Sequence, residues 1–423
     1  MIWRAGFSGV TSIDGVVPSG PVDLRELLTA VERAAPAHAV QAVAGELART
    51  IDAVEASFLI ADYAGGYLAR LAPTRHPVDG DIMARVPVDG TVQGQVMRTQ
   101  RVRVERGPTG THVCVPVTAR GEAIGVLEVL LPAGCATESV DAVATAGHAL
   151  AYIVIPSRRY TDLFEWGQRS VPLGLAAEIQ RRLLPESFTC EGAQVTVAGW
   201  LEPAGTVAGD TFDYSFSRSQ LYVSLTDAMG HGLTAALLAT LLVSSLRNVR
   251  RGGGDLAKQV TRANTMMVTQ IRPDEFVTGL LLQVDLHSGA VSVVNAGHVP
   301  FYRLRAREVQ AISFPADPPF GMFEGTSYQI HSFRLHPGDR LLLVTDGMME
   351  RNAAQVDLSA ALVETRDLHP RELVQDLTGR VLQVTGENLD DDATVFCLDW
   401  YGSDQSMRSV ASGADPSLAS PAL

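Results

Sequence analysis

Apolar positions change their spacing several times along the chain, and each change marks a new element. Leu24, Leu27, Leu28 and Val31, then Val40, Val43, Leu47 and Ile51, recur at the three-to-four-residue interval of helices buried along one face. Ser57–Asp62 (SFLIAD) switches to a strand-like run. Val102–Val104, Thr111–Thr118 and Ala123–Leu131 continue it, the last two joined into a hairpin by the polar turn Ala119-Arg120-Gly121-Glu122. An amphipathic helix over about Val140–Ile155 closes this unit, which predicts helix, antiparallel sheet and helix over residues 23–155.

Between Pro156 and Pro185, Leu163, Phe164, Leu173, Leu175, Ile179, Leu183 and Leu184 return to helical spacing, interrupted by Pro172. Residues 156–187 therefore read as a helical linker. It is either a signalling helix that couples two domains and pairs with its twin in a homodimer, or a connector packed on one of them. From Val195 onward strands alternate with helices. Val195–Gly199 and Leu221–Thr226 precede small-residue-rich helices over about Leu233–Val249 and Asp255–Ile271. Strands then dominate: Phe276–Asp285, Ala290–Asn295, Pro300–Leu304, Tyr328–Phe333, Arg340–Thr345 and Ala393–Asp399, with helical patterns at Leu358–Val363 and Pro370–Val384. Turns such as His287-Ser288-Gly289 imply antiparallel pairing, and two sheets flanked by helices would bury every apolar face over residues 188–400. The fold class is α+β. Residues 1–22 and 401–423, rich in Gly, Ser, Ala and Pro without periodicity, are expected to be disordered.

A length of 423 residues fits two domains, and 46% apolar against 19% charged residues supplies their cores. The net charge of −13 excludes a nucleic-acid partner on electrostatic grounds. Cys114, Cys135, Cys190 and Cys397 form no C-x-x-C pair, so neither a zinc site nor a disulfide framework is suggested. The N-terminus lacks a signal-like apolar core, and the longest apolar run, Ala235–Val243, is too short to span a bilayer. These features predict a soluble cytoplasmic protein with no membrane partner. In the first half, GTVQGQVMRTQ and VCVPVTARGEAIGVLEVLLP, in this order and spacing, resemble a GAF domain. The resemblance implies a sensory fold for an unknown small ligand or signal; no Cys or His arrangement suited to haem, bilin or an iron cluster accompanies it.

The second half carries the chemistry. Asp210 in VAGDTFD, Asp227 in LYVSLTDAMGHG, Asp346 in RLLLVTDGMME and Asp391 in NLDDDATVF each sit where a strand pattern meets a turn. Alone, each would be a turn residue or helix cap. Together they read as converging ligands, because gathered carboxylates repel and lose hydration unless cations hold them, and oxygen-only ligation selects Mg²⁺ or Mn²⁺. Gly347 beside Asp346 would let backbone come close.

The ordered segments AAEIQRRLLP, VAGDTFDYS, SLTDAMGHGLTAALL, NAGHVP, DPPFGMF, LLLVTDGMME and LDDDATV resemble the SpoIIE/RsbU-like branch of the metal-dependent protein phosphatases, relatives of the type 2C enzymes, over about residues 176–399. The resemblance implies an αββα sandwich with two Mn²⁺ or Mg²⁺ ions that hydrolyses phosphoserine or phosphothreonine on a partner protein, typically an anti-sigma-factor antagonist. It assigns Asp210 as the bridge between ions, Asp227 and the backbone carbonyl of Ala228 as further ligands, and Asp346 with Asp391 to the second ion. Asp392 is the alternative to Asp391. The arginine that type 2C relatives use to hold phosphate has no counterpart in PAGTVAGD.

His231 is either a general acid or the source of a helix-start hydrogen bond between two glycines. Asn295 and His298 in NAGHVP are expected to shape a tight turn beside the site, and Asp213 to be an outer carboxylate or a substrate contact. Two other functions fit the same residues less directly: a catalytically silent docking module of this fold, and a hydrolase of small phosphate esters.

Overall fold

The computed structural model describes residues 22–71, 84–169, 173–203, 209–349, 353–386, 389 and 391–403. Most of the two terminal segments, together with Pro172 and residues 204–208 of the PAGTVAGD stretch, lies outside these residues. In the first half, helices α1 (Leu24–Arg33) and α2 (Ala39–Ile51) precede strands β1 (Glu55–Ala61), β2 (Tyr67–Arg70) and β3 (Arg85–Pro87). Helix α3 (Val92–Thr99), strands β4 (Arg103–Arg106), β5 (Thr111–Ala119) and β6 (Glu122–Leu131), and helices α4 (Thr137–Ser157) and α5 (Leu163–Gly167) follow. The strands form one antiparallel sheet in the order β3-β2-β1-β6-β5-β4. Strand alternation sends Phe58 and Ile60 to one face, where they pack with Leu27, Val43, Leu47, Leu150 and Val154 of α1, α2 and α4. Leu59 and Ala61 point to the other face, which Val96 and Met97 of α3 cover.

The segment expected to be one linker is divided between two cores. Phe164 of α5 joins the first core. Leu183 of α6 (Leu175–Leu183) joins the second half of the chain.

That second half continues with β7 (Thr189–Glu191), β8 (Val195–Glu202), β9 (Asp210–Phe216), β10 (Gln220–Ala228), α7 (Gly232–Arg251) and α8 (Leu256–Gln270). Strands β11 (Val277–Asp285), β12 (Ala290–Ala296), β13 (Phe301–Arg305), β14 (Glu308–Ile312), β15 (His331–Arg334) and β16 (Asp339–Val344) lead to α9 (Leu358–Glu364), α10 (Pro370–Thr385) and β17 (Ala393–Trp400). They build a five-stranded sheet, β15-β12-β11-β10-β9, and a six-stranded sheet, β14-β13-β16-β17-β8-β7. Phe212, Val223, Leu225, Leu280 and Leu282 of the first face Val197, Leu341, Leu343, Phe396 and Leu398 of the second. Helices α7 and α8 cover the outer face of the five-stranded sheet through Leu238, Leu242 and Met267. Helices α9 and α10 cover the outer face of the six-stranded sheet through Leu362, Leu373 and Leu377. Burial on both faces is why β16 reads as an unbroken apolar run.

Helices α4 and α7 are long and apolar enough, by length and composition, to cross a membrane. Here each packs one side on a sheet. The two halves meet where the β5–β6 turn reaches β7 and the start of α10. Glu191 N–H donates to the Arg120 carbonyl (2.7 Å), Arg371 Nη1 to the Gly121 carbonyl (2.9 Å), and Thr189 N–H to Glu122 Oε2 (2.8 Å).

Candidate metal centre

Strands β9 and β10 pair with Asp210 directly opposite Asp227. On β9, alternation puts the side chain of Asp210 on the same face as Phe212. On β10, Leu221, Val223 and Leu225 all point into the core between the sheets, and Asp227 continues their alternation. Both carboxylates therefore enter the gap between the two sheets at the end where its apolar filling stops. Asp210 opens β9 rather than ending a strand, which differs from the strand-end position expected for it.

The facing sheet meets them with hydroxyls. Thr345, just after β16, and Thr394, in β17, are fully buried, and each donates a 2.6 Å hydrogen bond to Asp210 Oδ2. Asp210 is 2% exposed, and its carboxyl is pushed well above the usual carboxylate range by burial, then by Asp227 and by Asp392. Asp392 is buried as well. Its Oδ2 accepts from Gln180 Nε2 (2.6 Å) and from the backbone N–H groups of Gly209 (3.1 Å) and Asp210 (3.4 Å). Asp391 is partly exposed, and its Oδ1 accepts from the Asp392 N–H (2.8 Å).

Asp346 is partly exposed and opens a single 3₁₀ turn, Asp346–Met348. Gly347 in that turn lies against the Asp391–Asp392 backbone, so closely that a Cβ would sit 2.0 Å from the Asp392 carbonyl oxygen. Ala228 is 1% exposed, and its N–H donates to the Gly209 carbonyl (3.2 Å). The fold thus brings Asp227 and Asp392 into electrostatic range of Asp210 and sets the Asp346–Met348 turn beside the Asp391–Asp392 backbone. Among the described residues, no three His, Cys, Asp or Glu side chains are placed as a closed ligand group. The donor set still suits a hard cation. All its groups are oxygens, and a positive ion beside the buried Asp210 would offset the burial and the two further carboxylates that raise its pKa.

The accessory residues divide. Asp213 points to the opposite face of β9, toward α7, where Arg247 (2.8 and 3.2 Å) and Arg250 (3.0 Å) hold it. Asp213→Asn is expected to lower stability by about 2 kcal/mol, the scale of a hydrogen bond to a charged group, with Mn²⁺ affinity unchanged. Urea denaturation and calorimetric titration check both halves of that expectation. His231 is exposed at the cap position of α7 and makes no side-chain cap hydrogen bond, so the helix-start bond expected of it is not formed. Asn295 Oδ1 accepts from the His298 N–H (2.8 Å), and Asn295 Nδ2 donates to the Phe314 carbonyl (3.2 Å), fixing the turn after β12. His298 Nδ1 lies 3.2 Å from Thr278 Oγ1, and burial pushes its imidazole down to about 4.

Sequence patterning singles out none of Thr345, Thr394 and Gln180. The two threonines carry a faint signal, a hydroxyl on the inward side of an otherwise apolar alternation in LLLVTD and DATVF.

Residues 217–401 match the family model described as Stage II sporulation protein E (SpoIIE), and this part of the chain is similar to that family. The matched span includes Asp227, Ala228, Asp346, Gly347, Asp391 and Asp392, and begins after Asp210 and Asp213. The chain is similar to "Phosphoserine phosphatase RsbP" of Bacillus subtilis (strain 168), at 27% identity over 215 residues, covering 50% of this chain and 52% of the relative. It is also similar to "Phosphoserine phosphatase RsbU" of the same organism, at 20% identity over 230 residues, covering 53% and 68%. The chain thus spans about half the length of RsbP. Among solved structures, the SiaA-PP2C domain of Pseudomonas aeruginosa aligns with a TM-score of 0.45 at 20% identity, covering 53% of this chain and 93% of that one.

Proposed function

We propose that the chain is a metal-dependent protein phosphatase that removes phosphate from phosphoserine or phosphothreonine. The observation that carries this reading is Asp210, buried opposite Asp227 and beside Asp392 at the open end of the inter-sheet gap. In this reading the second half is an αββα sandwich. Asp210, Asp227, the Ala228 carbonyl, Asp346 and Asp391 hold two Mn²⁺ or Mg²⁺ ions. Asp392 supports them from behind, since its Oδ2 is already engaged by Gln180 and the Gly209 N–H. When bound, such ions acidify water and offset charge on a phosphoryl group. The protein's part is to keep Asp210 ionised and aimed by the Thr345 and Thr394 hydroxyls.

The substrate in this reading is a phosphorylated anti-sigma-factor antagonist, the class implied by the resemblance to the SpoIIE/RsbU-like branch; the similar proteins RsbP and RsbU are named phosphoserine phosphatases. Residues 23–155 act as a GAF-like sensor for a small ligand or signal, and the protein works as a cytoplasmic homodimer. The test uses the full chain with a protein of that class phosphorylated on serine. Millimolar Mn²⁺ is expected to support release of inorganic phosphate, EDTA to stop it, and renewed Mn²⁺ to restore it. No release at millimolar Mn²⁺ overturns the reading.

A further inference from the structure

We propose that His298 and Thr278 are positioning residues of the carboxylate centre: the imidazole donates to the Thr278 hydroxyl, which in turn donates to Asp227. The inference rests on the reading of the centre given above and adds two neutral side chains to its acidic set.

The five-stranded sheet puts Asp210, Asp227 and Thr278 in one row across β9, β10 and β11, each directly opposite the next. On β11, Leu280 and Leu282 point into the gap between the sheets, and Thr278 continues their alternation. Its side chain therefore stands on the same face as the Asp227 carboxylate, on the side away from Asp210. Side chains directly opposite on one face are close enough to interact. Asp210 takes its hydroxyls from Thr345 and Thr394 across the gap, and Thr278 is the hydroxyl that the sheet itself offers to Asp227.

His298 lies in the connection from β12 to β13, where the chain passes from the five-stranded to the six-stranded sheet. It is 7% exposed, and Asn295 Oδ1 fixes its backbone N–H (2.8 Å). Its Nδ1 is 3.2 Å from Thr278 Oγ1, while Nε2 is buried and makes no hydrogen bond among the described residues. The Val344 backbone, next to Thr345, also borders the ring, but burial outweighs it and leaves the imidazole neutral, with one N–H. A proton on Nδ1 points at Thr278 Oγ1 and frees the single Thr278 hydroxyl proton for a carboxylate. That assignment makes Nε2 a bare acceptor, whereas the other tautomer would bury a ring N–H with no partner. The pair thus ties Asp227 to the crossing between the sheets, beside the strand that leads to Asp346.

The test is calorimetric titration of the full chain with Mn²⁺, run beside thermal melts in EDTA. Thr278→Val keeps the shape and removes the hydroxyl, and His298→Phe keeps a ring and removes both nitrogens. Each is expected to weaken Mn²⁺ binding about tenfold, the size of one lost hydrogen bond to a charged group. The Mn²⁺ concentration for half-maximal phosphate release should rise by the same factor. Thr278→Ser restores the hydroxyl and should bind within about twofold of the parent. Because the two residues act in series, the double variant Thr278→Val with His298→Phe should bind no more weakly than either alone. A lower melting temperature with unchanged Mn²⁺ affinity shows a structural role only and overturns the proposal. Equal losses in Thr278→Val and Thr278→Ser overturn the part given to the hydroxyl, and this pair decides even if His298→Phe fails to fold. Additive losses in the double variant overturn the link between the two residues. Absence of Mn²⁺ binding by the unaltered chain is the separate result that removes the metal centre itself.

Discussion

Asp210→Asn is expected to cut phosphate release on the order of 10²–10³-fold, the scale on which one preorganised electrostatic group acts, while making the metal-free protein more stable. The two effects have one cause. Asp210 sits between Asp227 and Asp392 at 2% exposure, and burial with two like charges holds its carboxyl well above the ordinary range. Without a cation, the folded state bears the cost of a carboxylate in that position or of protonating it. Asparagine keeps the shape and an oxygen that accepts from Thr345 and Thr394, but removes the charge. A gain on the order of 1 kcal/mol in EDTA is expected from urea denaturation, against loss of turnover and of Mn²⁺ binding in titrations. A variant less stable than the parent in EDTA would show that Asp210 serves the fold and not a cation.

The opposite signs also separate this residue from Asp213, further along the same strand. Alternation sends Asp213 to the outer face, where Arg247 and Arg250 neutralise it, so its loss weakens the folded state. Sequence alone offers no way to tell the two aspartates apart unless the start of β9 is known. The stretch is too polar to announce a strand, so the pattern places Asp210 at the close of one when it opens one.

The same physics decides what else is legible. Strands β10, β11, β16 and β17 are central in their sheets, largely buried, and stand out as apolar-rich runs. Strands β3, β7 and β14 are edge strands with one paired side and are only three, three and five residues long, too short to leave a periodic pattern. The pattern at Tyr328–Phe333 predicts a strand, yet pairing begins only at His331, because farther along β12 the Asn295 carbonyl accepts from the Asp317 N–H (2.8 Å) and Ala296 bridges Asp317. In the site, aspartates next to strand ends are visible because carboxylates rarely end apolar runs by chance. Gln180 is not, since its meaning lies in reaching Asp392 from 212 positions away.

Gly347→Ala carries the second large effect, and it follows from space, not charge. An added Cβ would lie 2.0 Å from the Asp392 carbonyl oxygen, 2.9 Å from its carbonyl carbon and 3.3 Å from the Asp391 carbonyl oxygen. All three are backbone atoms, so no side chain can rotate away. Either the Asp346–Met348 turn or the Asp391–Asp392 turn must shift, by about 1 Å to reach normal contact. The first turn is anchored by Met349 N–H to the Asp346 carbonyl (2.7 Å), and the second by Gln180 and Gly209 on Asp392 Oδ2. The strain is expected to cost about 3 kcal/mol in urea denaturation. Because the displaced turns carry Asp346 and Asp391, Mn²⁺ affinity is expected to fall about 100-fold, the upper range for disturbing the groups that orient metal ligands. Normal Mn²⁺ affinity in a Gly347→Ala protein that has lost stability would place Asp346 and Asp391 outside the centre, since their turns would then have moved without consequence for the ion.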